Sequence, residues 1–145
     1  MREDRLKDLA ELARAVRSAR ESRLKDIATE ETRIRQNLAM LADHRVAAAP
    51  PAGREGLAVH RVGADMLWRG WLDQTERALQ IELAQVLARK EEARRSLQRA
   101  HGRSEAAASL LETERRATRA RAEIKKSLRE QQTMMLKSAG NHGPR

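Results

Sequence analysis

The sequence predicts an all-α fold: an elongated antiparallel two-helix coiled-coil hairpin whose second helix is the longer. Three observations predict it. Charged residues make up 35% of the 145-residue chain and aromatics 1%, with no Phe or Tyr. Such a chain lacks the large apolar groups of a compact core, and its Ala, Glu, Lys, Leu and Arg are the signature of long helices. Apolar residues also recur in sevens along both halves of the chain. Finally, the helix-breaking residues concentrate in AAAPPAGREGLAVHRVG, residues 47–63, which holds two of the three prolines and three of the seven glycines. Adjacent prolines disfavour a helix interior by roughly 3 kcal/mol or more each, so a helix has to end near Pro50. Intrinsic disorder is the competing reading, given a net charge of +9 and a mean hydropathy of −0.76, and the regular apolar spacing argues against it.

The first helix is expected over about 3–46. Glu3 and Asp4 place negative charge where the helix dipole favours it. Leu6, Ala13, Ile27, Ile34 and Leu41 share one heptad position, with Arg20 the exception. Leu9 and Val16 follow that position by three residues, while Leu24 and Leu38 follow it by four, the drift of a nearly straight helix read in sevens. The stripe is as narrow as a two-helix seam. The break at 47–63 follows, with Pro50–Gly56 its expected loop and Leu57–Val62 either a cap on the tip or a short helical turn.

The second helix is expected over about 65–138, with Asp65 as N-cap and Ala139-Gly140 as its end. Leu72, Leu79, Val86, Ala93, Ala100, Ala107, Leu128 and Met135 share one heptad position. Gly70 and Gly102 each weaken the helix by about 1 kcal/mol relative to Ala. Residues 140–145 read as a disordered tail, and 1–139 as a single two-helix rod. At 1.5 Å per residue the arms are about 66 and 110 Å long. Folded back at the break, the first covers the second to about residue 108. An apolar stripe continues beyond that point through Leu110, Leu111, Ala117, Ile124, Leu128 and Met135, and predicts a partner from another chain.

Charge is uneven along the chain. Residues 1–45 carry 11 bases and 9 acids, whereas Arg115, Arg116, Arg119, Arg121, Lys125, Lys126 and Arg129 face only Glu123 between 115 and 129. A local net of +6 suits an acidic surface or phosphates. Such a run is ordinarily a solvated face. Its functional uses are protein docking or nucleic acid, and the absence of an aromatic platform or a nucleic-acid motif disfavours the second.

No catalytic chemistry is expected. Cysteine is absent, which removes disulfides, thiolate metal sites and thiol nucleophiles. His44, His60, His101 and His142 have no metal-ligand spacing, and GREG at 53–56 lacks the ending of a phosphate loop. No cofactor or small-molecule substrate is implied. The N-terminal segment has no apolar secretory core and no run approaches a membrane span, so a soluble cytoplasmic protein is expected. Trp68 and Trp71 are the only aromatics. Their ordinary role would be core, packed on Leu38, Leu41 and Val46. Alternatively Trp71 stays exposed as a docking anchor.

The segments LARAVRSARESRLKDIATEETRIRQNLAML (12–41) and MLWRGWLDQTERALQIELAQVLARKEEAR (66–94), with the Pro/Gly break between them, resemble the FliJ family. These are soluble stalk proteins of flagellar and related type III export systems, and the resemblance covers nearly the whole chain. It implies a non-enzymatic coupling rod that links the hexameric export ATPase to the cytoplasmic domain of the export gate and handles export chaperones. The implied location is cytoplasmic, peripheral to the inner-membrane gate through partners. By position, the gate-binding surface carries over to Trp71, Thr75, Ala78 and Glu82, with Leu38, Leu41 and Arg45 on the first helix. This chain departs from the enteric-type pattern in having no Tyr before the break. The ATPase-facing end carries over to Arg115, Arg116, Arg119, Lys125 and Lys126. Two other classes compete: a nucleic-acid-associated basic coiled coil, and a structural homodimeric coiled coil.

Overall fold

The computed structural model describes residues 1–47 and 58–143, with side chains described for 1–47 and 63–143. The fold is all-α. Helix α1 spans Arg2–Ala47 and helix α2 spans Ala58–Gly140. Glu3 and Asp4 occupy the first turn of α1, and His44 and Arg45 its last, so both ends complement the helix dipole. Helix α2 starts earlier than the sequence predicts: Asp65 lies inside it rather than capping it, and 58–63 continue the helix. Without Pro or Gly between Ala58 and Val62, nothing in those residues stops a helix there. The expected loop, Pro50–Gly56, lies outside the described residues. At the other end Gly140 closes α2, and Asn141 forms a turn whose successor His142 donates its backbone N–H to the Ala139 carbonyl at 3.5 Å.

By packing, the chain divides into two units. Unit 2 comprises Ser18–Arg99, and unit 1 comprises Met1–Arg17 with Ala100–Arg145. In each, a stretch of α1 pairs with an antiparallel stretch of α2.

In unit 2 the core is Ile27, Ile34, Val86 and Ala93, with Leu24, Leu38, Leu79 and Leu83 packed against it. Ile34 and Val86 are fully enclosed. Ion pairs flank this seam: Arg89 to Glu30 at 3.0 Å, Lys90 to Glu31 at 2.5 Å, Arg33 to Glu82 at 3.1 Å, and Arg45 to Asp73 and Glu76 at 2.5 Å. As the α1 partner advances along the chain, the α2 partner retreats, which fixes the antiparallel sense. Glu31 is buried between Lys90 and Arg35, whose donated hydrogen bonds hold its carboxyl below the ordinary value of 4.5, Lys90 first and Arg35 second.

In unit 1 the core is smaller. Ala10, Ala107 and Leu111 are buried, with Leu6 and Ala13 against them. Arg2 pairs with Glu114 at 3.6 Å, Glu3 with Arg115 at 3.2 Å, and Arg17 with Glu105 at 3.7 Å. The start of α1 therefore reaches residue 115 of α2, not 108. In unit 2, Arg45 likewise meets Asp73 and Glu76 instead of residues near 65.

Candidate partner-binding site

Two stretches of α2 present side chains that α1 leaves uncovered. The first opens unit 2. From Gly63 to Trp71 every described side chain is exposed, and burial begins at Leu72. Trp68 and Trp71 are three residues apart, less than one helical turn, so their rings meet on one side of α2. They stack on each other with centroids 5.1 Å apart and planes 17° from parallel. Trp68 is 42% exposed and Trp71 51%, with Met66 and Leu67 more exposed still.

The expected packing of this pair on Leu38, Leu41 and Val46 is thus overturned. Leu41 is buried in the seam, Val46 is exposed, and α1 ends at Ala47 just beyond the Arg45 contacts. Mutual stacking shields one face of each ring instead.

The other residues of this surface sort by what they touch. Thr75 is half-buried and Ala78 exposed. Glu82 is held by Arg33, and Arg45 is held by both Asp73 and Glu76. Leu41 is a core residue whose side chain a partner cannot reach. Asp73 and Glu76 were not singled out from sequence, where no signal separates them from the many other carboxylates. Their role depends on the register.

The second stretch closes unit 1. From Thr118 to Gly143 every side chain is exposed, and 118–140 is helix. Ile124, Leu128 and Met135 lie on one face at 61%, 53% and 71% exposure. The basic cluster divides in two. Arg115 pairs with Glu3, Arg116 with Glu112 at 3.1 Å, and Arg121 approaches Glu114 at 3.8 Å. Arg119, Lys125, Lys126 and Arg129 have no carboxylate partner among the described residues. Of the five basic positions implied by resemblance, Arg119, Lys125 and Lys126 are therefore open, while Arg115 and Arg116 are already engaged. With Glu123 and Glu130 in the same stretch, these four cations still leave a positive excess beside the apolar stripe, which can bind an anionic surface by charge and contact area together.

No group of acidic or histidine side chains among the described residues is arranged to hold a metal ion. No described helix is long and apolar enough to cross a membrane. The chain matches no family model, no curated protein and no solved structure.

Proposed function

We propose that this chain is a non-enzymatic coupling protein of the FliJ type, which links an export ATPase ring to an export gate and its chaperones at the cytoplasmic side of the membrane. The observation that carries the reading is the uncovered C-terminal stretch of α2, where Arg119, Lys125, Lys126 and Arg129 flank the exposed stripe of Ile124, Leu128 and Met135. A solitary amphipathic helix of this kind is a docking element: its stripe gains burial only against another molecule, and its charge selects an acidic one. The stacked Trp68–Trp71 pair supplies a second anchor of the type that dominates interface energetics.

Co-purification with an export ATPase tests the reading directly. The triple variant Arg119→Glu, Lys125→Glu, Lys126→Glu is expected to bind about tenfold or more weakly, roughly 1.4 kcal/mol, at unchanged helicity by circular dichroism. Wild-type affinity in that variant would move the contact elsewhere. Trp71→Ala is expected to weaken binding to the gate domain and leave the helical signal intact. DNA binding that persists at physiological salt, with a log–log slope matching several phosphate contacts, would favour the nucleic-acid class instead.

A further inference from the structure

Unit 1 carries two apolar rows where a two-helix seam uses one. The buried row contains Ala10 on α1 and Ala100, Ser104, Ala107 and Leu111 on α2, with Leu6 and Ala13 half-buried beside it. The second row lines a groove of about 370 Å³: Leu9, Leu12 and Val16 on α1, Ala106 and Leu110 on α2, with Arg103 at its side. On α1 the larger side chain is outside: Leu9 is 47% exposed while Ala10 is buried, whereas on α2 Leu110 is 55% exposed beside a buried Leu111 of the same size. By buried apolar area alone this is the less favourable choice.

The rows are related by a simple rule. Leu6, Ala13, Ala100 and Ala107 hold a heptad position common to both. In the observed seam the second position falls four residues later, at Ala10, Arg17, Ser104 and Leu111. Three residues later it falls at Leu9, Val16, Arg103 and Leu110. Each helix moves from one spacing to the other by turning about its own axis by about 50°, half the step between neighbouring residues. Because unit 2 holds one seam, the turn is taken up as a change of winding along each helix within unit 1. It releases Leu111 and the partly exposed Arg17–Glu105 pair and encloses Leu9, Val16 and Leu110. Arg103 can lay its methylenes along the seam with its guanidinium in water.

Unit 2 has no such alternative. Three residues after Ile27, Ile34, Val86 and Ala93 stand Glu30, Asn37, Arg89 and Ser96, so the turned seam there would bury charge and amide. Alanines at the shared positions of unit 1 also leave room for the turn, which interlocked branched side chains would block.

We propose that unit 1 is a two-position seam, in which α1 and α2 turn about their axes between an Ala10/Leu111 packing and a Leu9/Leu110 packing. The exchange is a packing switch between discrete states, open to bias by whatever binds unit 1. It does not depend on the export reading.

Disulfide trapping tests it, since the chain contains no cysteine of its own. Three full-length double variants share one position: Ala10→Cys/Ala107→Cys for the observed seam, Leu9→Cys/Ala107→Cys for the turned seam, and Leu12→Cys/Ala107→Cys for neither. The turned-seam pair is expected to cross-link at least about tenfold faster than the third pair, as a minor state in fast exchange would. Adding Val16→Ala should slow the turned-seam pair several-fold and leave the observed-seam pair unchanged. Cross-linking at the rate of the third pair would overturn the proposal in favour of one seam. Equal rates for all three would overturn it in favour of a loose unit. Ala13→Cys/Ser104→Cys and Ala13→Cys/Arg103→Cys provide the same contrast should a first variant lose helicity.

Discussion

The two units use the same pair of helices and the same antiparallel sense, yet they hold together by different means. Unit 2 interlocks Ile27, Ile34 and Val86 with four leucines around them, and brackets them with ion pairs of 2.5–3.1 Å. Unit 1 buries mainly alanine, and its cross-helix ion pairs are longer, at 3.2–3.7 Å. Branched side chains admit one register because only one set of holes fits them, whereas alanine fits several about equally well. The first unit of this comparison fixes the register and the second tolerates movement.

The comparison can be broken most severely at Ile34. Ile34→Ala removes a fully enclosed side chain, and the expected loss is about 2–5 kcal/mol in denaturant unfolding followed by circular dichroism. Leu111→Ala is the counterpart in unit 1 and should cost about 2 kcal/mol, the low end of the same range, because Leu111 is not fully enclosed and its buried neighbours, Ala10 and Ala107, are small. Equal losses at the two sites would erase the distinction between the units. Smaller effects of opposite sign should come from the mid-helix glycines. A Cβ built at Gly70 or Gly102 meets nothing within 4 Å, so Gly70→Ala and Gly102→Ala should each raise stability by about 0.5–1 kcal/mol.

The smallest expected effect belongs to Glu31. Lys90 and Arg35 lower its pKa in the folded protein, so its stabilising contribution is present above the ordinary value of 4.5 and is lost as pH falls through the lowered one. Thermal melts at pH 6 and pH 3 should therefore differ less in Glu31→Gln than in the wild type. An identical acid response in both would exclude this carboxylate as a source of acid sensitivity.

The fold class was legible because the heptad residues are nearly all where burial needs them: Leu72, Val86, Ala93, Ala100 and Ala107 are each buried. The register was not legible. Heptad spacing places residues on a face of their own helix but does not say which residues of the other helix they meet. Within unit 2 Arg45 meets Asp73 and Glu76, and within unit 1 Glu3 meets Arg115, each further along α2 than the arm lengths predict. Spacing put Leu9 and Val16 in the stripe of the first helix, whereas Ala10 faces the partner helix and Leu9 and Val16 are exposed. Three-residue and four-residue steps are equally compatible with a straight helix, and the choice is made by packing across the pair. Of the basic cluster, sequence located the patch but not its division. Which cations are open depends on Glu3, more than a hundred positions away in the chain.

The stacked indoles have one more consequence, for spectroscopy. With no tyrosine or phenylalanine in the chain, Trp68 and Trp71 are the whole of its aromatic chromophore. Two parallel rings 5.1 Å apart are close enough to couple electronically and to quench one another, so the pair should give a split near-ultraviolet dichroism band and a weak emission. A molecule that wedges the rings apart would brighten them. The protein thus carries its own label at the start of α2, and unit 1 is optically silent.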